Sequence, residues 1–307
     1  MSTNQKIFFV ILSGIAAYFL TSYRAENRST PNEEPVIPSP TPVTLQVPSP
    51  IENKKFQPNI NVKAISAPQL STQKIEENKK PNGPPTTVDF KIEDGLAVAF
   101  GDVVLGAPLN ENIAKHGIAK PAPVKLWESG VIPFHIQPTM PNPERILQAL
   151  DYFKNTPINF IPYSDQPDAI VFQPGPGHCK SYLGKVGGLQ PIWLSGQCFA
   201  PEIAHEIMHA LGFIHEHSRT DRGQYVEIVW ENIDDQYKSQ FTMAPESLML
   251  PLKSTSFDYQ SIMIYEPDAF ARQPGLTTLR TKGNSPLYPL KTLSKQDVER
   301  LFKVYAR

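Results

Sequence analysis

Cysteine is nearly absent: Cys179 and Cys198 are the only two in 307 residues. That excludes a cysteine-rich zinc module or a disulfide-dense miniprotein and leaves one bridge at most, so any metal must be held mainly by other residues. Net charge is almost absent too, with 29 Lys and Arg against 30 Asp and Glu for a formal −1, and electrostatics offers no pull toward nucleic acid. Aromatic residues are missing between Pro31 and Pro85 except for Phe56, while 12 of the 32 prolines fall there; such a stretch cannot bury a core. The apolar residues, 40% of the chain against 19% charged, are concentrated elsewhere and suffice for one or two ordinary domains.

Long hydrophobic runs are also scarce. The longest, Ile7 to Leu20, follows Lys6 and carries no charge. It is short for a spanning helix, which needs ~20 residues, and apolar all round, unlike an amphipathic core helix. Residues 1–25 are therefore read as an export signal or membrane anchor, which implies a secreted, periplasmic or membrane-anchored protein. Ala25 with Tyr23 two residues before it makes a poor cleavage site. Residues 26–87, rich in Pro, Asn, Lys, Glu and Ser without hydrophobic period, read as a disordered Pro-rich linker; Pro38-Ser39-Pro40-Thr41-Pro42 would also suit a docking ligand.

Composition changes at Val88. Phe90, Ile92, Leu96, Val98 and Phe100 alternate up to Gly101-Asp102 and then Val103 to Leu105, a hairpin-like signal. Val131 to Ile136 reads as a strand. Pro143 opens a helix running from Arg145 to Lys154 with Ile146, Leu147, Leu150 and Phe153 on one face, and Ala169 to Phe172 is a short buried strand. Leu293 to Tyr305 is a helix capped by Ser294 with Asp297 at its third position. Residues 121–307 make a single domain of ordinary size.

The chemistry concentrates in His205-Glu206-Ile207-Met208-His209-Ala210-Leu211-Gly212-Phe213-Ile214-His215-Glu216. Histidines four apart on a helix share a face and can reach one ion. A straight helix could not aim His215 at the same ion, but Gly212 can end the helix with positive φ and let it swing back. Three neutral imidazoles leave a position open for water, the mark of a catalytic zinc site. Glu206 stands beside the first ligand, where a carboxylate can take the water's proton and pass it to a leaving amine. The bland alternative is a chance H-E-x-x-H on an ordinary helix; the glycine and third histidine in register fit the longer metzincin pattern instead.

The segment resembles the active-site signature of the astacin family of zinc endopeptidases. Phe213, His215, Glu216, Arg219, Asp221 and Arg222 match its continuation, and only Gly223 departs. Tyr225-Val226, Ile228, Trp230, Asn232 and Ile233 follow in the family's order. Ser261-Ile262-Met263-Ile264-Tyr265 resembles the family's Met-turn, with Ile264 in place of the usual His. The resemblance covers about Leu126 to Arg307 and implies an α+β fold of two subdomains flanking a cleft. It implies one Zn2+ per chain on His205, His209 and His215, with Glu206 as general base and then acid and Met263 as the hydrophobic base of the site. It makes Tyr265 a further metal ligand that swings away to stabilise the oxyanion; on the residues alone an aromatic there is core about as often. Cys179 and Cys198 match a bridge beside the cleft's upper edge strand, against which an extended protein or peptide substrate pairs antiparallel. The family's second bridge has no counterpart, which leaves the domain ends less firmly strapped. Glu216 is read either as the partner of a new N-terminus after activation or as support beside a ligand. His217 reads as an exposed helix-end histidine, and His178 as a loop residue near the bridge.

Residues 88–120 read as propeptide-like. Many astacins block the zinc with the Asp of a Phe-x-Gly-Asp motif, and Ala99-Phe100-Gly101-Asp102 keeps Gly-Asp but has Ala99 where Phe is expected. Asp102 is then a zymogen switch, released by a cut between Asn110 and Leu126; a plain Gly-Asp turn accounts for the dipeptide equally well. The expectation is a monomeric, exported zinc metalloendopeptidase. The rivals are a zinc-stabilised peptide-binding protein and an envelope interaction protein acting through its Pro-rich segment, both without turnover.

Overall fold

The structure is a computed structural model that describes residues 85–106, 116–249, 251–252 and 254–306. The expected signal or anchor, and the linker apart from residues 85–87, lie outside the described residues. Among the described residues no helix is long and apolar enough to cross a membrane.

The fold is α+β. Its centre is a mixed sheet of nine strands in the order β4-β1-β2-β3-β8-β9-β7-β5-β6. The middle of the sheet comes from β5 (Val131–Ile136), β7 (Ala169–Pro174) and β9 (Leu189–Leu194), which run parallel, with Phe134 opposite Ile170 and Phe172 opposite Ile192. Parallel strands are covered on both faces and so read as apolar runs, which is why these segments carry little alternation. β6 (Asn159–Pro162) closes one side in parallel with β5, and β8 (Lys180–Tyr182) pairs antiparallel with β9. The Cys179–Cys198 disulfide joins the residue before β8 to the approach of the following helix.

Residues 88–106 and 116–119 extend this sheet. β1 (Val88–Glu93) and β2 (Leu96–Ala99) form the hairpin expected from their alternation, with Asp94 and Gly95 in the turn at φ 52° and 78°. β4 (His116–Ala119) pairs with β1, and β3 (Val103–Gly106) lies parallel to β8 with Val103 opposite Ser181. The strand edge expected to receive substrate is covered by the protein's own chain.

Three helices pack on or beside the sheet. α1 (Glu144–Asp151) follows Pro143 and buries Ile146 and Ala149 completely; it stops short of Lys154, where turns take over. α2 (Ala200–Ala210) has Pro201 in its first turn, and the Phe199 N–H donates to the Glu202 carboxylate at 3.0 Å. Its Ile203, Ala204, Ile207 and Met208 are fully buried, at ~1.5–3 kcal/mol for each large side chain removed from water. Its last carbonyls, which no helical N–H can satisfy, accept from Trp127 Nε1 at 3.0 Å (Ala210) and the Tyr305 hydroxyl at 2.7 Å (Leu211).

From Phe213 onward, regular structure thins to short 3-10 turns, the pair β10 (Val226–Ile228) with β11 (Leu279–Thr281), and α3 (Lys295–Tyr305). Buried charge does much of the holding. Arg300 and Glu216, 2% and 0% exposed, meet at 2.8 Å, Arg219 forks onto Asp221 at 2.8 Å, and Arg222 donates to the carbonyl of His217 at 2.6 Å. With no second disulfide, α3 is strapped by Tyr305 on Leu211, Arg300 on Ser256 at 2.6 Å and Lys303 on Ser254 at 2.6 Å.

Candidate metal centre

α2 stacks His205 and His209 one turn apart, with ring centroids 4.7 Å from each other. Gly212, at φ 99°, then turns the chain; a Cβ there would meet Leu126 at 2.9 Å and Val124 at 3.0 Å, so both backbone and space demand glycine. The turn returns His215 to the cluster at 5.0 and 4.7 Å from the other two rings.

Each of the first two rings is aimed from behind. His205 Nδ1 lies 2.8 Å from the Ile262 carbonyl and His209 Nδ1 2.8 Å from that of Phe213. A carbonyl only accepts, so both Nδ1 atoms carry the proton and both Nε2 lone pairs face the cluster. The Nε2 atoms of His205 and His215 stand 3.0 Å apart. Asp102 completes the group: its Oδ1 is 3.2 Å from His209 Nε2, and its Oδ2 is 3.4 and 3.2 Å from those of His205 and His215. All four ligand atoms lie within 4.8 Å of one another, and His209 Nε2 and Asp102 Oδ1 are buried without a hydrogen-bond partner.

Those orphaned atoms test the fit to zinc. Tetrahedral zinc with ligands at ~2.0–2.1 Å needs them roughly 3.4 Å apart, close to the spacings found here. Three nitrogens and one carboxylate oxygen form a donor set zinc accepts, and a cation among them removes the repulsion between facing lone pairs. The residues form a possible zinc site. Burial alone would raise the Asp102 carboxyl, but the imidazoles of His215 and His209 outweigh it and hold it well below its usual range. Burial pushes His209 down to about 4, which keeps its ring neutral as a ligand requires.

Glu206 is 2% exposed and its Oε2 has no partner. Burial first, and the Asp102 charge second, push its carboxyl well above the usual range. Met263 is 1% exposed, and its carbonyl accepts the Glu216 N–H at 2.8 Å. Glu216 also accepts from Asp258 N at 2.9 Å, and burial, partly offset by Arg300 and Arg219, moves it up to about 7. Its counter-charge comes from inside the domain.

The Tyr265 hydroxyl donates to the carbonyl of Phe100 at 2.9 Å, with its ring 5.0 Å from that of His215. The expectation for His217 was wrong. It is 0% exposed, stacked on His215 at 5.0 Å and 19° and against Tyr265 at 3.9 Å. The short turn Glu216–Ser218 is covered by Phe241 and Tyr265 from distant segments, which local reasoning could not see. His178, half exposed, faces the Gly101 carbonyl at 2.7 Å.

Sequence reasoning also missed Lys180, whose ammonium is 1% exposed and pairs with Asp94 at 2.7 Å. Its signal was a lone Lys inside a strand between Cys179 and Ser181. Both partners line a cleft of about 900 Å³ together with His178, Glu206 and Tyr265. Gly101 sits tightly in that cleft, since a Cβ there would come within 3.0 Å of the Tyr265 hydroxyl and the Gln240 side chain.

Comparison with known proteins gives concordant findings. A family model described as Astacin, a peptidase family, matches residues 119–306, more than half of the chain. Zinc metalloproteinase nas-6 of Caenorhabditis elegans is 39% identical over 187 residues, 59% of this chain and 54% of that protein. Meprin A subunit alpha of Mus musculus is 36% identical over 165 residues, 52% of this chain and 22% of that protein. The chain thus spans about half the length of the first of these relatives and less of the second. Among solved structures, high choriolytic enzyme 1, a hatching enzyme zinc-protease from Oryzias latipes, is similar with a TM-score of 0.52 and 32% identity, covering 60% of this chain and 94% of that one.

Proposed function

We propose, from the premise that the chain belongs to the astacin family of peptidases, that it is an exported zinc-dependent endopeptidase held closed here by its own residues 88–120. The observation that carries the reading is the convergence of the three histidines' Nε2 atoms with an Asp102 oxygen, all within 4.8 Å, beside a buried and unpartnered Glu206 carboxylate oxygen.

His205, His209 and His215 would hold the ion. When bound there, zinc supplies Lewis-acid polarisation of the scissile carbonyl and acidifies the attacking water. Glu206 Oε2 takes that water's proton and returns it to the leaving amine. The backbone of β8 offers its free edge to an extended peptide once β3 has left. The Tyr265 hydroxyl, released from the Phe100 carbonyl, becomes a donor for the oxyanion. Cys179–Cys198 and Met263 keep the rim and the floor in place.

Asp102 is the switch. Its carboxylate takes up the place beside the three rings that water needs, and β3 covers the rim strand. The turn reading of Gly101-Asp102 holds as well, with Phe100 and Gly101 at φ 55° and 101°; the turn is what delivers the carboxylate.

The test joins metal analysis to mass-spectrometric mapping of cleavage in a mixed peptide library, before and after nicking the full chain between Asn110 and Leu126. One zinc per chain and cleavage that appears on nicking are expected. Glu206→Gln should keep the metal and lose cleavage; equal cleavage by that variant rules out the mechanism.

A further inference from the structure

Asp297 is fully buried in the first turn of α3 and closes the capping box: its N–H donates to Ser294 Oγ at 2.9 Å, and the Ser294 N–H returns to Oδ2 at 3.1 Å. Capping is all that the sequence asks of it. The same carboxylate also reaches out of the helix. Ser261 Oγ donates to Oδ1 at 2.7 Å and the Ile262 N–H to Oδ2 at 3.0 Å, across 36 and 35 residues of sequence.

These two residues begin the turn that faces the imidazoles. The Ile262 carbonyl receives His205 Nδ1–H at 2.8 Å, and the Met263 carbonyl receives the N–H of Glu216, next after His215, at 2.8 Å. The Ser261 hydroxyl meanwhile accepts from the Met263 N–H at 3.0 Å. One peptide plane thus runs from the Asp297 carboxylate on its N–H side to Ile262, and the next carbonyl along aims the ring of His205. That carbonyl shares its peptide plane with the Met263 N–H, which the Asp297-bound Ser261 hydroxyl holds.

We propose that Asp297 is a positioning residue for the metal centre: by clamping Ser261 and Ile262 it fixes the turn that orients His205 and anchors the backbone at His215, so zinc affinity depends on a carboxylate that is not a ligand. This rests on the zinc reading above. Groups that orient a metal's ligands commonly govern affinity by roughly 10- to 100-fold.

The two roles of Asp297 separate experimentally, because Ser294→Ala removes the capping hydroxyl and leaves the contacts with Ser261 and Ile262. The full chain and the variants Asp297→Asn, Ser261→Ala and Ser294→Ala are loaded with zinc. Release to a chromogenic chelator is timed, and thermal unfolding of each metal-free form is recorded alongside. Asp297→Asn should release zinc roughly tenfold faster, Ser261→Ala several-fold faster, and Ser294→Ala at the native rate despite a lowered Tm. Native-rate release from Asp297→Asn overturns the inference, as does Ser294→Ala releasing zinc as fast as Asp297→Asn at a matched loss of Tm. If Asp297→Asn does not fold, Ser261→Ala decides. A native chain that takes up no zinc defeats the functional reading and this inference together; one that binds zinc while the variants match it defeats only the inference.

Discussion

The two sides of the cleft are held in different ways. The imidazole side is gripped from behind: backbone carbonyls of Ile262 and Phe213 meet His205 and His209, both α2 and the turn after it lie in the apolar core, and α3 braces the turn through Asp297. The occupying side, β1–β3, shares that apolar core through Ala99, Phe100 and Val103 and adds polar contacts at the cleft: Asp94, 47% exposed, on buried Lys180, the Gly101 carbonyl on half-exposed His178, and Asp102 on the rings. The difference lies in the polar contacts: buried backbone carbonyls aim the rings on one side, and partly exposed Asp94 and His178 tie down the other. Water can reach the Asp94 and His178 ends of those contacts, and a pair that is half in water contributes only ~0–1 kcal/mol.

Four changes would break or sharpen that contrast. The largest effect is expected from His209→Ala, which removes a fully buried ligand: zinc content by atomic absorption and peptide cleavage by the nicked chain should both fall below detection. Next comes Asp102→Ala in the uncut chain, whose cleavage rate should rise at least ~10-fold toward that of the nicked protein as a set of charge-assisted contacts is lost. An unchanged rate would mean the carboxylate merely sits there. Asp94→Asn should act in the same direction but only a few-fold, read as faster limited proteolysis of residues 107–126, because its partner contact is half in water. The smallest effect is expected from Asp168→Asn. Burial alone would raise Asp168, but Lys185 at 2.8 Å and the Gly188 N–H at 2.6 Å outweigh it and lower its carboxyl. A lowered folded value stabilises above the unfolded ~3.9 and fades as pH falls through the folded value. Asp168→Asn should therefore cost up to ~1 kcal/mol at pH 7 and progressively less as pH falls below ~4, measured by urea unfolding.

What could be read from sequence follows from what is local. His205, His209 and His215 were legible because a helix period and one glycine fix their mutual placement within eleven residues. The Ser294–Asp297 cap was legible for the same reason, but its reach to Ser261 was not, because pairing across 36 residues leaves no periodic trace. His217 failed on the same ground: the Phe241 and Tyr265 rings that bury it arrive from 24 and 48 residues away. The hairpin of β1 and β2 was visible as alternation, whereas the choice of β8 as partner for β3 is a matter of which edge lies open in three dimensions. Nothing local marks Arg300, 84 residues away in sequence, as the partner that the fold brings to Glu216.

The direction of β3 has a consequence of its own. A parallel ladder spaces its hydrogen bonds evenly and slants them, while an antiparallel one alternates close and wide pairs. A guest entering the other way round would therefore place its N–H and carbonyl groups along β8 in a different phase from those of β3. β3 runs parallel to β8, so a peptide that paired antiparallel with β8, as the proposed substrate does, would run opposite to the segment now lying there.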